Sequence, residues 1–192
     1  MAFLDFNWNI ILASKSPRRQ SLLKELGIDF KIITKEVEEV YPPSLKREEV
    51  AVFLSELKAS AFIDDIIEND LVITSDTIVC FRDEIIGKPT DREDALKMLA
   101  KLSGNKHEVI TAVTLLSKQK KHTFYELTEV YFKPLTTAEI EYYIDNYQPY
   151  DKAGSYGIQE WIGYIGIEKI NGSYFNVMGL PVKRVNEELL KF

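Results

Sequence analysis

Cysteine and histidine are nearly absent from this sequence. Its 192 residues include one cysteine, Cys80, and two histidines, His107 and His122. A single thiol excludes an intramolecular disulfide, and so few soft ligands exclude a zinc site built from thiolates or from several imidazoles. Any metal site must therefore use carboxylates and the oxygens of a substrate, which favours Mg²⁺ or Mn²⁺ over zinc.

Excess basic charge and long apolar runs are also missing. The formal net charge is −6, whereas proteins that bind duplexes neutralise several phosphates with a basic face. No apolar stretch reaches the roughly 18 residues of a transmembrane helix, and residues 1–11 lack the basic start of a secretory signal. We therefore expect a cytoplasmic protein with no nucleic-acid or membrane partner, although a few local cations can still hold a small anion.

Strand and helix patterns alternate along the chain. Long adjacent strands joined by a charged turn favour a mixed sheet over a purely parallel one. We predict an α/β fold, a mixed twisted sheet with flanking helices, as one domain over 1–192 with room for two lobes around a central cleft. The predicted strands are 9–13, 30–34, 71–81, 107–117, 122–133 and 164–170. The predicted helices are 17–26, 47–67, 90–102, 136–146 and a last one from Pro181, with Thr-x-x-Glu capping boxes at Thr90 and Thr136.

The helix predicted after Ser16 carries basic residues in an unusual place. Ser16 as N-cap and Pro17 in the first turn are ordinary helix starts. Arg18 and Arg19 then occupy the first turn, where the helix dipole favours Asp or Glu. Free backbone N–H groups, hydroxyls and two guanidinium groups together suit a di- or triphosphate. A solvated turn that is basic by chance explains the same residues.

Asp76 interrupts an apolar strand. It lies within 71–81, a run too apolar to be exposed on both faces. A carboxylate there must be paired, hydrogen-bonded or metal-bound to stay charged. An aspartate that only accepts hydrogen bonds from neighbouring amides is the plain alternative. Ser75 and Thr77 add polar groups at the same point, which favours a functional site.

Other polar residues are ambiguous when taken singly. Lys58 lies at the edge of an apolar helical stripe and Lys88 in a Gly-Lys-Pro loop, and both patterns are typical of exposed cations. Glu39 belongs to an acidic loop that is solvated unless a metal needs oxygen ligands. The loop 152–159 has two glycines that allow a ligand to approach the backbone. Its last residue, Gln159, can offer a donor and an acceptor to the edge of a base.

Six short motifs follow one another along nearly the whole chain, from about Ile10 to Phe192. They are Leu12-Ala13-Ser14-Lys15-Ser16-Pro17-Arg18-Arg19 with Leu22-Leu23, Lys58-Ala59, Ser75-Asp76-Thr77, Gly87-Lys88-Pro89, Lys152-Ala153-Gly154 and Gly179-Leu180-Pro181. One such motif would be weak evidence, but six in the same order are specific. Together they resemble the Maf family of nucleoside triphosphate pyrophosphatases, which is similar in fold to the inosine triphosphate pyrophosphatases.

The resemblance implies hydrolysis of a nucleoside triphosphate between its α- and β-phosphates, with release of a monophosphate and pyrophosphate. Asp76 would accept a proton from the attacking water, and Glu39 and Asp76 would hold a divalent metal. The residues that match those holding the triphosphate are Ser14, Arg18, Arg19, Lys58 and Lys88. This set suits phosphoryl transfer, which depends on positioning and on neutralising charge.

The resemblance also implies a base preference. Thr77 after the aspartate and the segment ending at Gln159 resemble the subgroup acting on dTTP and UTP, not the one acting on 7-methyl-GTP. Arg18, Thr77 and Gln159 are the positions that track this preference. Glu160 stands where glycine is usual and is followed by Trp161, and Ser75 stands where alanine is usual before the aspartate. Glu160 and Trp161 leave the finer base preference open. A homodimer is expected by family analogy alone.

Two other classes of function compete with the enzyme. One is a non-catalytic nucleotide-binding protein acting in cell division or septum formation, which would need the phosphate cradle but not a carboxylate inside an apolar strand. The other is a nucleic-acid-binding module, which the net charge of −6 disfavours.

Overall fold

The computed structural model describes residues 7–192, which contain seven strands and seven α-helices. The strands are β1 (Asn9–Leu12), β2 (Lys31–Ile32), β3 (Asp70–Phe81), β4 (Glu84–Ile86), β5 (Lys106–Leu116), β6 (Lys121–Phe132) and β7 (Ile167–Asn171). The helices are α1 (Pro17–Glu25), α2 (Glu48–Ser60), α3 (Arg92–Leu102), α4 (Thr137–Tyr147), α5 (Trp161–Gly166), α6 (Tyr174–Val177) and α7 (Val182–Leu189), with a short 3₁₀ turn at Ala153–Ser155. Among these helices none is long and apolar enough to cross a membrane.

The strands form a mixed sheet in the order β2-β1-β3-β5-β6-β7, with β4 paired to β3. β1 runs parallel to β2 and β3, so that Ile11 lies opposite Lys31 on one side and Val72 on the other. β4 is antiparallel to β3, and β7 is antiparallel to β6. The prediction of an α/β fold with a mixed sheet and flanking helices is therefore confirmed.

The chain divides into two compact units. The first contains the residues up to Asp76, Thr111–Glu126 and Gly179–Phe192, and the second contains Thr77–Ile110 and Leu127–Met178. Each unit buries an apolar cluster of its own. In the first unit the cluster is Ile11, Ala59, Phe62, Ile66, Val72 and Leu116. In the second unit it includes Val79, Leu99, Val130, Ile144 and Ile162. The predicted cleft between two lobes stays a prediction.

Two helix boundaries differ from the sequence prediction. α2 ends at Ser60 and does not continue to residue 67, because the next N–H groups, such as that of Phe62, bond three residues back to tighten the backbone into turns. α3 has Asp91 as its N-cap, with the side chain accepting from Asp94 N. The capping box predicted at Thr90 is therefore wrong, since an aspartate one residue later takes the capping position. The box predicted at Thr136 is confirmed.

Two strand predictions also need correction, and one strand was missed. β2 contains only two residues of the predicted 30–34. The strand predicted over 164–170 begins at Ile167, because α5 occupies Trp161–Gly166. A Cβ at Gly163 in α5 would lie 1.9 Å from the Ile158 carbonyl oxygen, so only glycine fits this helical turn. β4 was not predicted, and at three residues it is too short to show a strand period.

Candidate active site

Asp76 lies inside β3 with a carboxylate that is almost fully buried. The β-branched residues on either side extend the strand through this point, and the aspartate is 7% exposed. Lys58 of α2 donates from Nζ to Asp76 Oδ1 at 2.5 Å. The carboxylate therefore has the charged partner that its burial requires. The lysine side chain is itself only 18% exposed, so it is not the solvated cation that its place on the helical stripe suggested.

The Lys58 ammonium bridges two carboxylates. Its Nζ lies 3.1 Å from Glu39 Oε1 in addition to its contact with Asp76. Glu39 and Asp76 are the two acids predicted to hold a divalent metal, and each places an oxygen on the same positive centre. Hard carboxylate oxygens are what Mg²⁺ takes from proteins, and substrate phosphates usually complete its shell. The donor atoms of the pair therefore suit such an ion, and metal binding by Glu39 and Asp76 stays a prediction. Among residues 7–192 no group of three or more His, Cys, Asp and Glu forms a metal cluster.

The turn between β1 and α1 is closed by its own side chains. Ser16 is the N-cap, as predicted, and its side chain accepts from Arg19 N with Pro17 in the first turn. Ser14 is buried, and its Oγ accepts from Ser16 N at 3.2 Å. Gln20 Nε2 donates to the Ser14 carbonyl oxygen at 3.0 Å. These bonds fix the basic first turn in place.

Arg19 is a cross-link within the first unit. Its Nε donates to the Gly179 carbonyl oxygen and its Nη1 to the Ser75 carbonyl oxygen, both at 2.9 Å. Burial lowers the pKa of the Arg19 guanidinium, and the neighbouring Asp76 carboxylate opposes that shift. The arginine thus holds α1 against the residue that precedes the buried aspartate. Its role as a phosphate ligand stays a prediction.

A buried hydroxyl network joins α2 to β3 beside the ion pair, and sequence reasoning missed it. Thr74 Oγ1 donates to the Ser55 carbonyl oxygen at 2.8 Å, and Ser55 Oγ bonds to Thr114 Oγ1 at 2.9 Å. All three residues are 0% exposed. Ser55 precedes Lys58 by one helical turn, and Thr74 precedes Asp76 by two strand residues. The network therefore sets the register of the lysine against the aspartate. The only sequence signal was a hydroxyl within an apolar stripe.

The second unit carries the other three predicted residues. Thr77 is half-buried on β3, Lys88 is exposed in the loop after β4, and Gln159 is half-buried before α5. The Gly87 carbonyl oxygen beside Lys88 accepts from Gly154 N at 2.9 Å. The first unit holds Ser14, Arg18, Arg19, Glu39, Lys58 and Asp76.

Sequence reasoning also missed a buried lysine in the second unit. Lys152 is 8% exposed, and its Nζ lies 2.6 Å from Asp151 Oδ1 and 3.2 Å from Glu160 Oε1. Gly154 follows with a φ of +72°, and a Cβ there would lie 3.0 Å from a methyl carbon of Val79. The positive φ and the close approach to Val79 both require glycine at this turn.

A neutral histidine supports the same loop. His107 Nε2 lies 2.7 Å from the hydroxyl oxygen of Tyr156, and both residues are buried. Burial lowers the pKa of His107 to about 3 and raises the pKa of the Tyr156 hydroxyl. The pair is therefore uncharged at neutral pH and packs as part of the core.

Comparison with known proteins identifies the family. Residues 9–192 match the family model described as Maf-like protein, so the chain belongs to this family. The resemblance drawn from the sequence motifs is therefore confirmed.

Several relatives carry the name dTTP/UTP pyrophosphatase. The one from Cytophaga hutchinsonii is 53% identical over 185 residues, which cover 96% of this chain and 84% of the relative. The one from Flavobacterium psychrophilum is 52% identical, with 96% and 94% covered. The one from Bacteroides fragilis is 48% identical, with 98% of each chain covered. A solved structure of the Staphylococcus aureus Ham1 protein gives a TM-score of 0.44 at 18% identity, over 65% of this chain and 71% of that one.

Proposed function

We propose that this protein hydrolyses dTTP and UTP between the α- and β-phosphates, releasing the nucleoside monophosphate and pyrophosphate. Its family and the names of its relatives support this proposal. The observation that carries it is Asp76, a carboxylate buried in β3 and held by the Lys58 ammonium at 2.5 Å. A carboxylate in such surroundings can take the proton of a water molecule that attacks a phosphate.

Each candidate residue of the first unit has its own role in this reaction. Asp76 accepts the proton of the attacking water, and Lys58 keeps its carboxylate in place. Arg18 and Arg19 in the first turn of α1, with the buried Ser14, offer cations and donors to the phosphates. Phosphoryl transfer needs this positioning and charge neutralisation more than covalent attack. Thr77, Lys88 and Gln159 keep their predicted roles in binding the substrate as part of the proposal.

We also propose that Glu39 and Asp76 hold Mg²⁺ or Mn²⁺ together with phosphate oxygens. The convergence of both carboxylates on the single Lys58 ammonium supports this assignment. When bound, such an ion neutralises phosphate charge and lowers the pKa of a water molecule.

The test is release of pyrophosphate from dTTP and UTP by the purified protein with Mg²⁺ or Mn²⁺. We expect Asp76→Asn to lower kcat on the order of 10²–10⁴-fold, the usual contribution of a general base, with the circular dichroism spectrum unchanged. The matched control is Asp70→Asn on the same strand, whose carboxylate accepts from Asn9 Nδ2 and Ile67 N. This control should keep its activity. Release of orthophosphate alone by the wild type would contradict cleavage between the α- and β-phosphates.

The names of the relatives favour the hydrolase over a non-catalytic protein of cell division. Rescue of a cellular phenotype by Asp76→Asn would reverse that preference. A cytoplasmic location, a homodimer and the lack of a nucleic-acid partner stay predictions. Analytical ultracentrifugation measures the oligomeric state directly.

A further inference from the structure

The loop that leads into α5 is closed by an ion pair between its two ends. Lys152 Nζ lies 3.2 Å from Glu160 Oε1, and the two side chains are 9% and 20% exposed. Asp151, the other partner of Lys152, has a side chain that is 66% exposed. Removing a carboxylate partner from a buried ammonium is destabilising. Glu160 is the more buried of the two carboxylates that hold this lysine, and we name residues 152–160 the Lys152–Glu160 loop.

The second oxygen of the same carboxylate fixes the middle of the loop. The Tyr143 hydroxyl of α4 donates to Glu160 Oε2 and accepts from Gly157 N, the latter at 3.0 Å. Tyr143 is 0% exposed, so its hydroxyl has little freedom to move. A Cβ at Gly157 would lie 2.7 Å from the carboxylate carbon of Glu160. The glycine thus makes room for this carboxylate against the backbone.

Gln159 is held between these fixed points. It lies two residues after Gly157 and directly before Glu160, and it is half-buried. Among residues 7–192, none forms a hydrogen bond with the side-chain amide of Gln159. The amide donor and acceptor are therefore left for a ligand, while the backbone on both sides of Gln159 is tied to Glu160 and Tyr143.

We propose that Glu160 is a positioning residue that sets the discrimination between bases. Through Lys152 and Tyr143 it fixes the backbone from which Gln159 presents its amide to the base of the substrate. The proposal rests on the proposed function, and it adds to it the residue that controls substrate choice.

The experiment compares kcat and KM for dTTP and dGTP in three single variants and one double variant. Glu160→Ala should raise the KM for dTTP and lower the ratio of kcat/KM for dTTP to that for dGTP by up to about tenfold, the value of one hydrogen bond. Tyr143→Phe should change the ratio in the same direction. Glu160→Gln keeps an oxygen for the Tyr143 hydroxyl and should recover part of the ratio. The double variant Glu160→Ala/Tyr143→Phe should lose no more than the larger single change, because the two residues act as one unit.

The matched control is Glu129→Ala on β6. Glu129 has a side chain that is 21% exposed, and it accepts from Lys106 Nζ at 2.6 Å and from the Tyr131 hydroxyl at 2.9 Å. It thus has the same kinds of partner as Glu160 but no part in the Lys152–Glu160 loop. We expect this variant to lose stability without a change in the dTTP to dGTP ratio.

The results separate this inference from the proposed function. An unchanged ratio in folded Glu160→Ala and Tyr143→Phe overturns the inference, as does an equal change in Glu129→Ala, which would show a general effect of lost stability. If Glu160→Ala does not fold, Tyr143→Phe and Glu160→Gln decide the outcome. Should the wild type release no pyrophosphate, the proposed function fails. Calorimetric binding of dTTP and dGTP to the wild type and the same variants then decides the role of Glu160, and an unchanged affinity ratio rejects it.

Discussion

Burial of His107 makes the stability of this protein depend on pH, and His107→Gln should remove that dependence. Glutamine is neutral at every pH and can still hydrogen-bond to the Tyr156 hydroxyl, which lies 2.7 Å from the imidazole. The folded protein keeps the imidazole neutral, because burial lowers its pKa to about 3. The unfolded chain binds the proton with an ordinary histidine pKa of about 6.5.

The sign and size of the effect follow from these two pKa values. Because the folded pKa is the lower one, the stability from His107 is fully present above about pH 6.5 and is lost as pH falls towards about 3. At pH 5 the solution lies about 1.5 units below the unfolded-state pKa, which corresponds to a loss of about 2 kcal/mol in the free energy of unfolding.

The assay is urea unfolding at pH 7.5 and pH 5. The wild type should lose about 2 kcal/mol more than His107→Gln between these two pH values. The control is Tyr156→Phe, which removes the hydrogen bond but leaves the histidine buried, so it should keep the dependence of the wild type. Equal losses in the wild type and His107→Gln would refute the reasoning. So would a histidine NMR signal, assigned to His107, that titrates near pH 6.5.

Two further substitutions test packing around the candidate site. Lys58→Met should lower the free energy of unfolding by about 3 kcal/mol, because it leaves the Asp76 carboxylate buried without its ammonium. The double variant Lys58→Met/Asp76→Asn should regain most of the lost free energy of unfolding, as measured with urea. If Lys58→Met alone is as stable as the wild type, the ion pair does not have this role. Gly154→Ala should cost about 1–2 kcal/mol from its positive φ, with further crowding against Val79. Gly87→Ala is its control, since a Cβ there meets no atom within 4 Å. Equal losses of unfolding free energy in the two variants, measured by calorimetry, would disprove the argument.

The sequence predicted the main elements of the fold because periodic apolar patterns and capping residues are local signals. Ser16 and Thr136 cap the helices where their spacing indicated. Predictions were wrong where tertiary contacts decide the outcome. The helix α5 extends to Gly166, with Gly163 packed against the Ile158 carbonyl, although residues 164–166 read as the start of a strand.

The site was only partly predictable for the same reason. The need to pair Asp76 followed from its apolar neighbours, but its partner Lys58 lies 18 positions away in the chain. Periodicity placed that lysine at the edge of a helical stripe, where most lysines are solvated. The role of Glu160 in holding Lys152 depends on how a glycine-rich loop folds back on itself. No rule based on sequence spacing gives that geometry.

The hydroxyl network between α2 and β3 restricts how this protein can change through mutation. Ser55 Oγ and Thr114 Oγ1 bond to each other in a fully buried place, while Thr74 Oγ1 donates to the main-chain carbonyl oxygen of Ser55. An apolar residue at Ser55 or Thr114 alone removes one hydrogen bond from the other hydroxyl, whereas apolar residues of the same shape at both positions can be nearly neutral. Ser55 and Thr114 are therefore coupled in their mutational effects. Variants selected for activity should keep both hydroxyls or replace them jointly, so a library that varies one position at a time will explore this pair poorly.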